Sequence, residues 1–294
     1  MNINIHNEKR IRLSNAFINS LNFLKVDSDI VSEKKVIETF DGSPIDLYIY
    51  KPLGINENLP CMVYFHGGGF YLKGDALSPK ILSEYIRRGK FAVIYVDYRL
   101  SLDYPYPIPL EDCYSGLTWC YNNASYLGID PSKIFVTGFS AGGALAAGVS
   151  LLARDRDFKI IKCQTLIAPV TDHRQITESV KNYNDTPNWN SESNSFMWEL
   201  YLRNVVGDIP FYASPATSPS FSNLPPTYIE VSEFDPLHDE GVNLHNSLKL
   251  AGNITELNNT KGTIHMSSIQ LRSKKTIKNM ERMLTFINRR LYGK

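Results

Sequence analysis

Between residues 134 and 148 the sequence passes from the apolar run Ile134-Phe135-Val136 through Gly138-Phe139-Ser140-Ala141-Gly142 into a stretch rich in Gly and Ala. A strand that becomes a helix across so short a link must turn sharply, and glycines on both sides of Ser140 leave room for that turn. The small residues that follow, Gly143-Ala144 and Ala146-Ala147-Gly148, let the helix lie close to a sheet at some cost in helix propensity. The rest of the chain must therefore supply a sheet against which helices pack tightly.

It does so by alternation. From about residue 36 onward, short apolar runs alternate with helical patterns, which predicts a mostly parallel sheet covered by helices. Val36–Thr39 and Ile45–Tyr50 flank Asp41-Gly42-Ser43-Pro44 as an opening hairpin, and Cys61–Phe65 and Phe91–Val96 are apolar enough for strands buried on both faces. A helix with Leu110, Cys113, Tyr114, Leu117, Cys120, Tyr121 and Ala124 on one stripe is expected to stop at Gly128, and Asp130-Pro131-Ser132 to turn into a strand over Lys133–Thr137. Further strands are expected at Thr165–Ala168, Thr227–Ser232 and Thr255–Asn259, before a last helix from about Lys274 to Leu291.

Two regions stand outside this alternation. Residues 1–35 read as an amphipathic helix, with Ile11, Phe17, Ile18, Leu21 and Phe23-Leu24 on its apolar side. Residues 173–213 hold Tyr183, Trp189, Phe196, Trp198, Tyr201, Phe211 and Tyr212 among Asn, Ser and Glu. A long aromatic insertion between two strands suggests a cap over a pocket, so the whole chain reads as one domain capped by about 1–35 and 173–213. Most of these aromatics are expected simply to pack the insertion onto the body, with one or two lining the pocket.

The chain of 294 residues is long enough for one large α/β domain, and its 43% hydrophobic and 21% charged content is that of an ordinary globular protein. With 31 basic against 30 acidic residues there is no field to capture nucleic acid or an anionic membrane. The N-terminus lacks a basic segment followed by an apolar one, and apolar runs are broken before the ~20 residues a bilayer needs, so a cytoplasmic protein without a membrane anchor is expected. Cys61, Cys113, Cys120 and Cys163 show no C-x-x-C spacing; they are expected to be small core residues, Cys113 and Cys120 lying two turns apart on one helical face. The histidines are scattered and no H-E-x-x-H spacing occurs among them, so no metal is called for. The Tyr-rich composition is compatible with a homodimer.

Chemistry enters at Ser140. A serine hydroxyl needs a general base within hydrogen-bond reach. Of six histidines, His265 alone lies in a loop between the last strand and the last helix, whereas His6 is terminal, His66 precedes the serine, His173 opens the insertion, and His238 and His245 sit close to or within a helix. The acid expected to orient it is Asp235, just past the strand Tyr228–Ser232 and held extended by Pro236. Asp239 and Glu240 fall in the first turn of the next helix, where the dipole favours them, and Glu233 is the remaining competitor. Upstream, His66-Gly67-Gly68-Gly69 directly follows an apolar strand. Backbone N–H groups of Gly67, Gly68 and Ala141 are positioned to hold an oxyanion, with Gly69 keeping the loop close-packed. Phe70, Phe139 and Met266 are expected to line the substrate pocket.

In these motifs, in Val96-Asp97-Tyr98-Arg99-Leu100, in Tyr104–Leu110 followed by Glu111-Asp112, in Leu224-Pro225-Pro226 and in Glu233–Gly241, the chain resembles the hormone-sensitive-lipase-like α/β-hydrolase esterases over roughly residues 36–270. The resemblance implies an eight-stranded sheet, a helical cap and cofactor-free carboxylesterase activity on small to medium acyl esters. The chain departs from the family at Phe139, where Asp is common, at Met266-Ser267, where Gly and Phe are usual, and at Tyr104, where many members have His. An amidase, formamidase or deacetylase would use the same triad. A ligand-binding protein on a disabled hydrolase fold would have lost the base that His265 supplies here.

Overall fold

The strands β1 (Ile30–Glu38), β2 (Pro44–Pro52), β3 (Leu59–Phe65), β4 (Ala92–Asp97), β5 (Ile129–Phe139), β6 (Gln164–Ile167), β7 (Thr227–Phe234) and β8 (Thr255–Ile264) form one sheet in the order β1-β2-β4-β3-β5-β6-β7-β8. They are seen in a computed structural model that describes residues 7–20, 26–55, 58–74 and 78–293. β1 pairs with β2, and β2 with β4, in antiparallel register; every other neighbour is parallel. The expected mostly parallel, eight-stranded α/β sheet is what the chain forms.

Side chains alternate across this sheet, and each set meets different helices. Cys61, Val63 and Phe65 of β3 and Ala92, Ile94 and Val96 of β4 pack with α3 (Ile108–Asn122), α5 (Ala141–Asp155) and α8 (His238–Leu250). Met62, Tyr64, Val93 and Tyr95 face the other way, onto α2 (Ser78–Gly89) and α9 (Lys274–Tyr292). Both faces of the central strands are thus dry, which is why they read as unbroken apolar runs. All four cysteines are buried thiols, as expected; Cys61 and Cys120 Sγ also touch at 3.6 Å, a contact between β3 and α3 that spacing along one helix could not show.

The structure departs from the sequence reading in several places. Residues 30–35, assigned to the cap, are the first part of edge strand β1, paired from Ile30↔Pro52 onward. The N-terminal helix α1 (Glu8–Ser20) buries Ile11, while Leu13 and Phe17 are each 63% exposed; Leu21 and Phe23-Leu24 lie outside the described residues. The helix expected to run to Gly128 breaks at Asn123, whose side-chain amide takes the Trp119 carbonyl. A short α4 (Ala124–Leu127) follows, and Gly128, at φ 62°, ends that instead. The Asp130 turn is present, with its Oδ1 accepting from Ser132 N at 2.9 Å, but as a bulge inside a longer β5, where the register with β3 jumps between Leu59↔Ile129 and Cys61↔Ile134. Helix α2 was not expected, although Ile81, Leu82, Tyr85 and Ile86 make its buried stripe.

One cation ties three separate elements together at the β2–β4 side. Arg99 forks onto Asp112 of α3 at 2.9 and 2.7 Å, donates its backbone N–H to the same carboxylate, and reaches Asp41 and Thr39 in the β1–β2 turn. Asp112 is fully buried and Arg99 only 12% exposed. Arg99 keeps Asp41 if Asp112 is lost, but without the Arg99 side chain the Asp112 carboxylate is left in a dry site with only the backbone N–H of residue 99. Arg99→Ala should therefore cost about 3–5 kcal/mol of unfolding free energy, read as a shift in the urea midpoint with the slope unchanged.

Candidate active site

Ser140 stands between β5 and α5 with φ 56° and ψ −120°, a strained conformation for a residue with a side chain. The neighbouring glycines are what make it possible. A Cβ on Gly138 would lie 1.9 Å from the Gly142 carbonyl oxygen, and one on Gly142 would lie 2.0 Å from the Phe65 carbonyl oxygen. Ser140 N–H donates to the Ile167 carbonyl of β6 at 2.9 Å, and its own carbonyl accepts from Gly143, Ala144 and Val170. The elbow is thus fixed by backbone bonds on both sides.

The structure brings Ser140, His265 and Asp235 together from three elements. His265 begins a short 3-10 turn after β8, and Asp235 follows β7. Asp235 Oδ2 accepts from His265 Nδ1 at 2.7 Å, and Ser140 Oγ lies 2.9 Å from His265 Nε2. With the Nδ1 proton engaged by the carboxylate, Nε2 is left as the acceptor for the serine hydroxyl. The second Asp235 oxygen takes the Leu237 N–H at 3.0 Å. All three residues are buried.

The competing residues have other partners. Glu233 binds Lys261 and the Gly262 N–H. His173 meets Ser214, His238 meets Asp239 and Asn259, and His245 meets Thr255; His6 lies outside the described residues. Asp239 and Glu240 do fall in the first turn of α8, but they also make tertiary bonds that helix position alone could not reveal. Asp239 accepts from Ser179 N at 2.8 Å, and Glu240 Oε2 accepts from Thr171 N and Asp172 N at 2.5 and 2.6 Å. Together they tether the start of the 173–213 insertion, which carries α6 (Glu178–Asn182) and α7 (Ser191–Leu202).

The glycine loop lies directly on the elbow. A Cβ on Gly67 would meet the Phe139 ring at 2.7 Å, and Gly142 packs on the Phe65 and His66 carbonyls. Gly68 has φ 114°, and a Cβ there would lie 2.6 Å from the Leu72 carbonyl oxygen, a conformation and a setting that no side chain fits. Ala141 is the first residue of α5, so its N–H has no acceptor within the helix. His66 is wholly buried and stacked on Tyr98 at 4.2 Å and Tyr95 at 5.4 Å. Burial pushes its pKa down to about 3, so it is neutral, and its Nδ1 lies 2.6 Å from the Gly67 carbonyl oxygen as a donor.

The three residues expected to line the pocket occupy different positions. Phe139 is buried with its ring 5.2 Å from that of His265. Met266 is half-buried and packs against the α2–α9 core. Phe70 is fully buried and stacked on Tyr201 of α7 at 3.9 Å, so its contacts fasten the glycine loop to the insertion. Trp189, one of many aromatics in the insertion, lies over His265 at 5.8 Å and against Gly69. Only its place in an aromatic segment hinted at this; nothing in spacing separated it from its neighbours.

Comparison with known proteins agrees with this arrangement. A family model described as the α/β-hydrolase fold matches residues 62–268. The chain is 32% identical over 250 residues to carboxylesterase NlhH of Mycobacterium tuberculosis, covering 82% of this chain and 78% of that protein. It is 32% identical over 232 residues to an arylesterase of Saccharolobus solfataricus, covering 76% and 73% respectively. Among solved structures, a bacterial heroin esterase superposes with a TM-score of 0.89 at 32% identity, over 97% of this chain and 93% of the other. Among the described residues no helix is long and apolar enough to cross a membrane.

Glu240 offers a test of how the site is framed. Burial pushes its pKa up to about 8, against the pull of the two N–H donors and with Asp172 adding to the rise. An unfolded Glu titrates near 4.3. Its contribution is therefore full below about pH 4 and is lost as the pH climbs through about 8. Glu240→Gln keeps an acceptor for Thr171 and Asp172 without the charge. Its melting temperature should match the wild type near pH 5 and exceed it by several degrees at pH 9, measured by thermal scans across that range. On these grounds of sequence, fold and site geometry, the chain belongs to the α/β-hydrolase family.

Proposed function

We propose that the protein is a serine carboxylesterase that cleaves small-molecule esters of small to medium acyl chains through a covalent acyl-enzyme on Ser140. The observation that carries this reading is the unbroken hydrogen-bond chain from Ser140 Oγ through His265 to Asp235, at 2.9 and 2.7 Å. Similarity to the carboxylesterase and the arylesterase supports it.

In acylation, His265 Nε2 takes the proton as Ser140 Oγ bonds to the ester carbonyl carbon, and Asp235 stabilises the imidazolium. The carbonyl oxygen becomes an oxyanion held by the N–H groups of Gly67, Gly68 and Ala141. Collapse of the tetrahedral intermediate breaks the carbon–oxygen bond to the alcohol, which leaves with the proton from His265. Water repeats the sequence on the acyl-enzyme, releasing the acid and restoring Ser140. His66 is a positioning residue in this scheme. Its Nδ1–H fixes the Gly67 carbonyl, and because the peptide is planar and trans, the Gly68 N–H is turned to the opposite side. The 173–213 insertion, with the N-terminal helix, forms the cap, and Trp189 is the part of it that covers His265.

Hydrolysis of p-nitrophenyl esters from acetyl to decanoyl tests the proposal, with turnover expected to be highest on the shorter chains. Ser140→Ala should abolish turnover while its circular dichroism and melting curve stay those of the wild type. Asp235→Asn should lower kcat by about 10⁴-fold. Turnover surviving in Ser140→Ala, or absent on every ester with a folded wild type, overturns the reading. His66→Phe keeps the stacked ring but removes the donor to Gly67. A misplaced oxyanion donor predicts a kcat lower by roughly 10–100-fold with KM little changed, measured on p-nitrophenyl acetate.

A further inference from the structure

Buried polar groups are normally hydrogen-bonded, and each exception calls for a reason. Two exceptions meet at the glycine loop. Tyr71 is fully buried and Trp189 is 5% exposed. Among the described residues, neither the Tyr71 hydroxyl nor the Trp189 indole Nε1 has a hydrogen-bond partner. Both rings converge on Gly69. A Cβ there would meet Tyr71 Cε1 at 2.8 Å and Trp189 Cη2 at 3.0 Å. Trp189 also stacks on His265, so its ring lies between the glycine loop and the proposed base. Phe at either position would fill the space without leaving a polar group unpaired.

An unpartnered N–H donor and an unpartnered hydroxyl that both donates and accepts, carried on two rings that meet at one glycine, are a set suited to an oxygen atom. We infer that Tyr71 and Trp189 recognise a second oxygen function on the substrate, so that the favoured esters carry a hydroxyl, ether or carbonyl oxygen beside the scissile group rather than plain alkyl chains. This deepens the esterase reading and rests on it. The energetic logic is asymmetric. An oxygenated ester supplies the missing partner, while an alkyl ester leaves both groups buried and unpaired in the closed complex, and sites built this way reject the analogue lacking the oxygen.

Trp198 provides the internal contrast. Its Nε1 is also unpartnered, but its ring lies among Phe70, Tyr201 and His173. It is a packing residue of the insertion and takes no part in the proposed recognition.

The test uses two pairs of esters that differ by hydroxyl against methyl. Ethyl 3-hydroxybutyrate is set against ethyl 3-methylbutyrate, which places the oxygen on the acyl side. 2-Hydroxyethyl butyrate is set against propyl butyrate, which places it on the alcohol side. The ratio of kcat/KM within each pair is measured for the wild type, Tyr71→Phe, Trp189→Phe and Trp198→Phe. In the wild type at least one ratio should favour the hydroxylated ester by about tenfold or more. That ratio should fall toward one in Tyr71→Phe and Trp189→Phe and hold in Trp198→Phe. Because each ratio is internal to one protein, a partly inactive or unstable variant still reports it. Wild-type ratios near one in both pairs, or a preference that survives in Tyr71→Phe and Trp189→Phe, overturn the inference and leave the esterase reading standing. No turnover of any of the four esters by folded wild type retires that reading and the inference with it.

Discussion

Everything at the site depends on the contact between two backbones where β3 and β5 end side by side. Gly142, at the start of α5, sits where a Cβ would lie within 2.6 Å of both the Phe65 and His66 carbonyl oxygens. Only because that residue has no side chain can the first turn of the helix press against the end of β3. The same contact fixes two things at once. It holds Ser140 in its strained turn, and it sets the Gly67-Gly68-Gly69 loop beside the helix N-terminus, where unpaired N–H groups gather. Strain at Ser140 is tolerated because backbone bonds from Ile167, Gly143, Ala144 and Val170 over-determine its position.

Two histidines near this contact show how environment divides labour within one residue type. His66 is sealed between tyrosine rings, with Tyr98 also donating to its backbone carbonyl at 2.8 Å. Burial without an opposite charge keeps it neutral, so it acts as a fixed hydrogen-bond donor. His265 is equally buried but has a carboxylate at 2.7 Å on one nitrogen and a hydroxyl at 2.9 Å on the other. Phe139 and Trp189 set their rings 5.2 and 5.8 Å from that of His265.

The parts of this arrangement that were legible in the sequence are those governed by local chemistry. Strands buried on both faces announce themselves as apolar runs, and Gly138, Ser140 and Gly142 mark a turn whose crowding the structure then shows in ångströms. His265 could be singled out because its competitors sat in positions with other uses. The boundaries that failed were decided by tertiary partners. Ile30-Val31-Ser32-Glu33-Lys34-Lys35 carries no apolar–polar alternation of its own, yet is held as an edge strand by pairing with β2, a choice made by distant residues. The break at Asn123 is local instead, its side-chain amide and its own N–H both donating to the Trp119 carbonyl four residues back. Trp189 was one aromatic among many, and its position over His265 depends on how the insertion folds back, a long-range outcome that carries no periodic signature.

The first turn of α8 links that insertion to Asp235, the proposed acid. Asp235, Pro236 and Leu237 lead straight into Asp239 and Glu240, which bind Ser179, Thr171 and Asp172 at the root of the insertion. Ser179 Oγ returns a bond to the Pro236 carbonyl at 2.8 Å. Asp235, bonded to His265, and the segment whose Trp189 stacks on His265 therefore hang from the same short stretch of backbone. A displacement of the insertion at its root would be felt at Asp235 within a few residues; its far side, α7, is fastened to the body by Trp198 and Tyr201 packing on Phe70 and by hydrogen bonds from Tyr106 N–H to the Tyr201 carbonyl and from Arg203 to the Leu102 carbonyl, each 2.8 Å. Glu240 at that root cannot shift without leaving the Thr171 and Asp172 N–H groups unsatisfied in a buried place, which ties the position of Asp235 to that of the insertion.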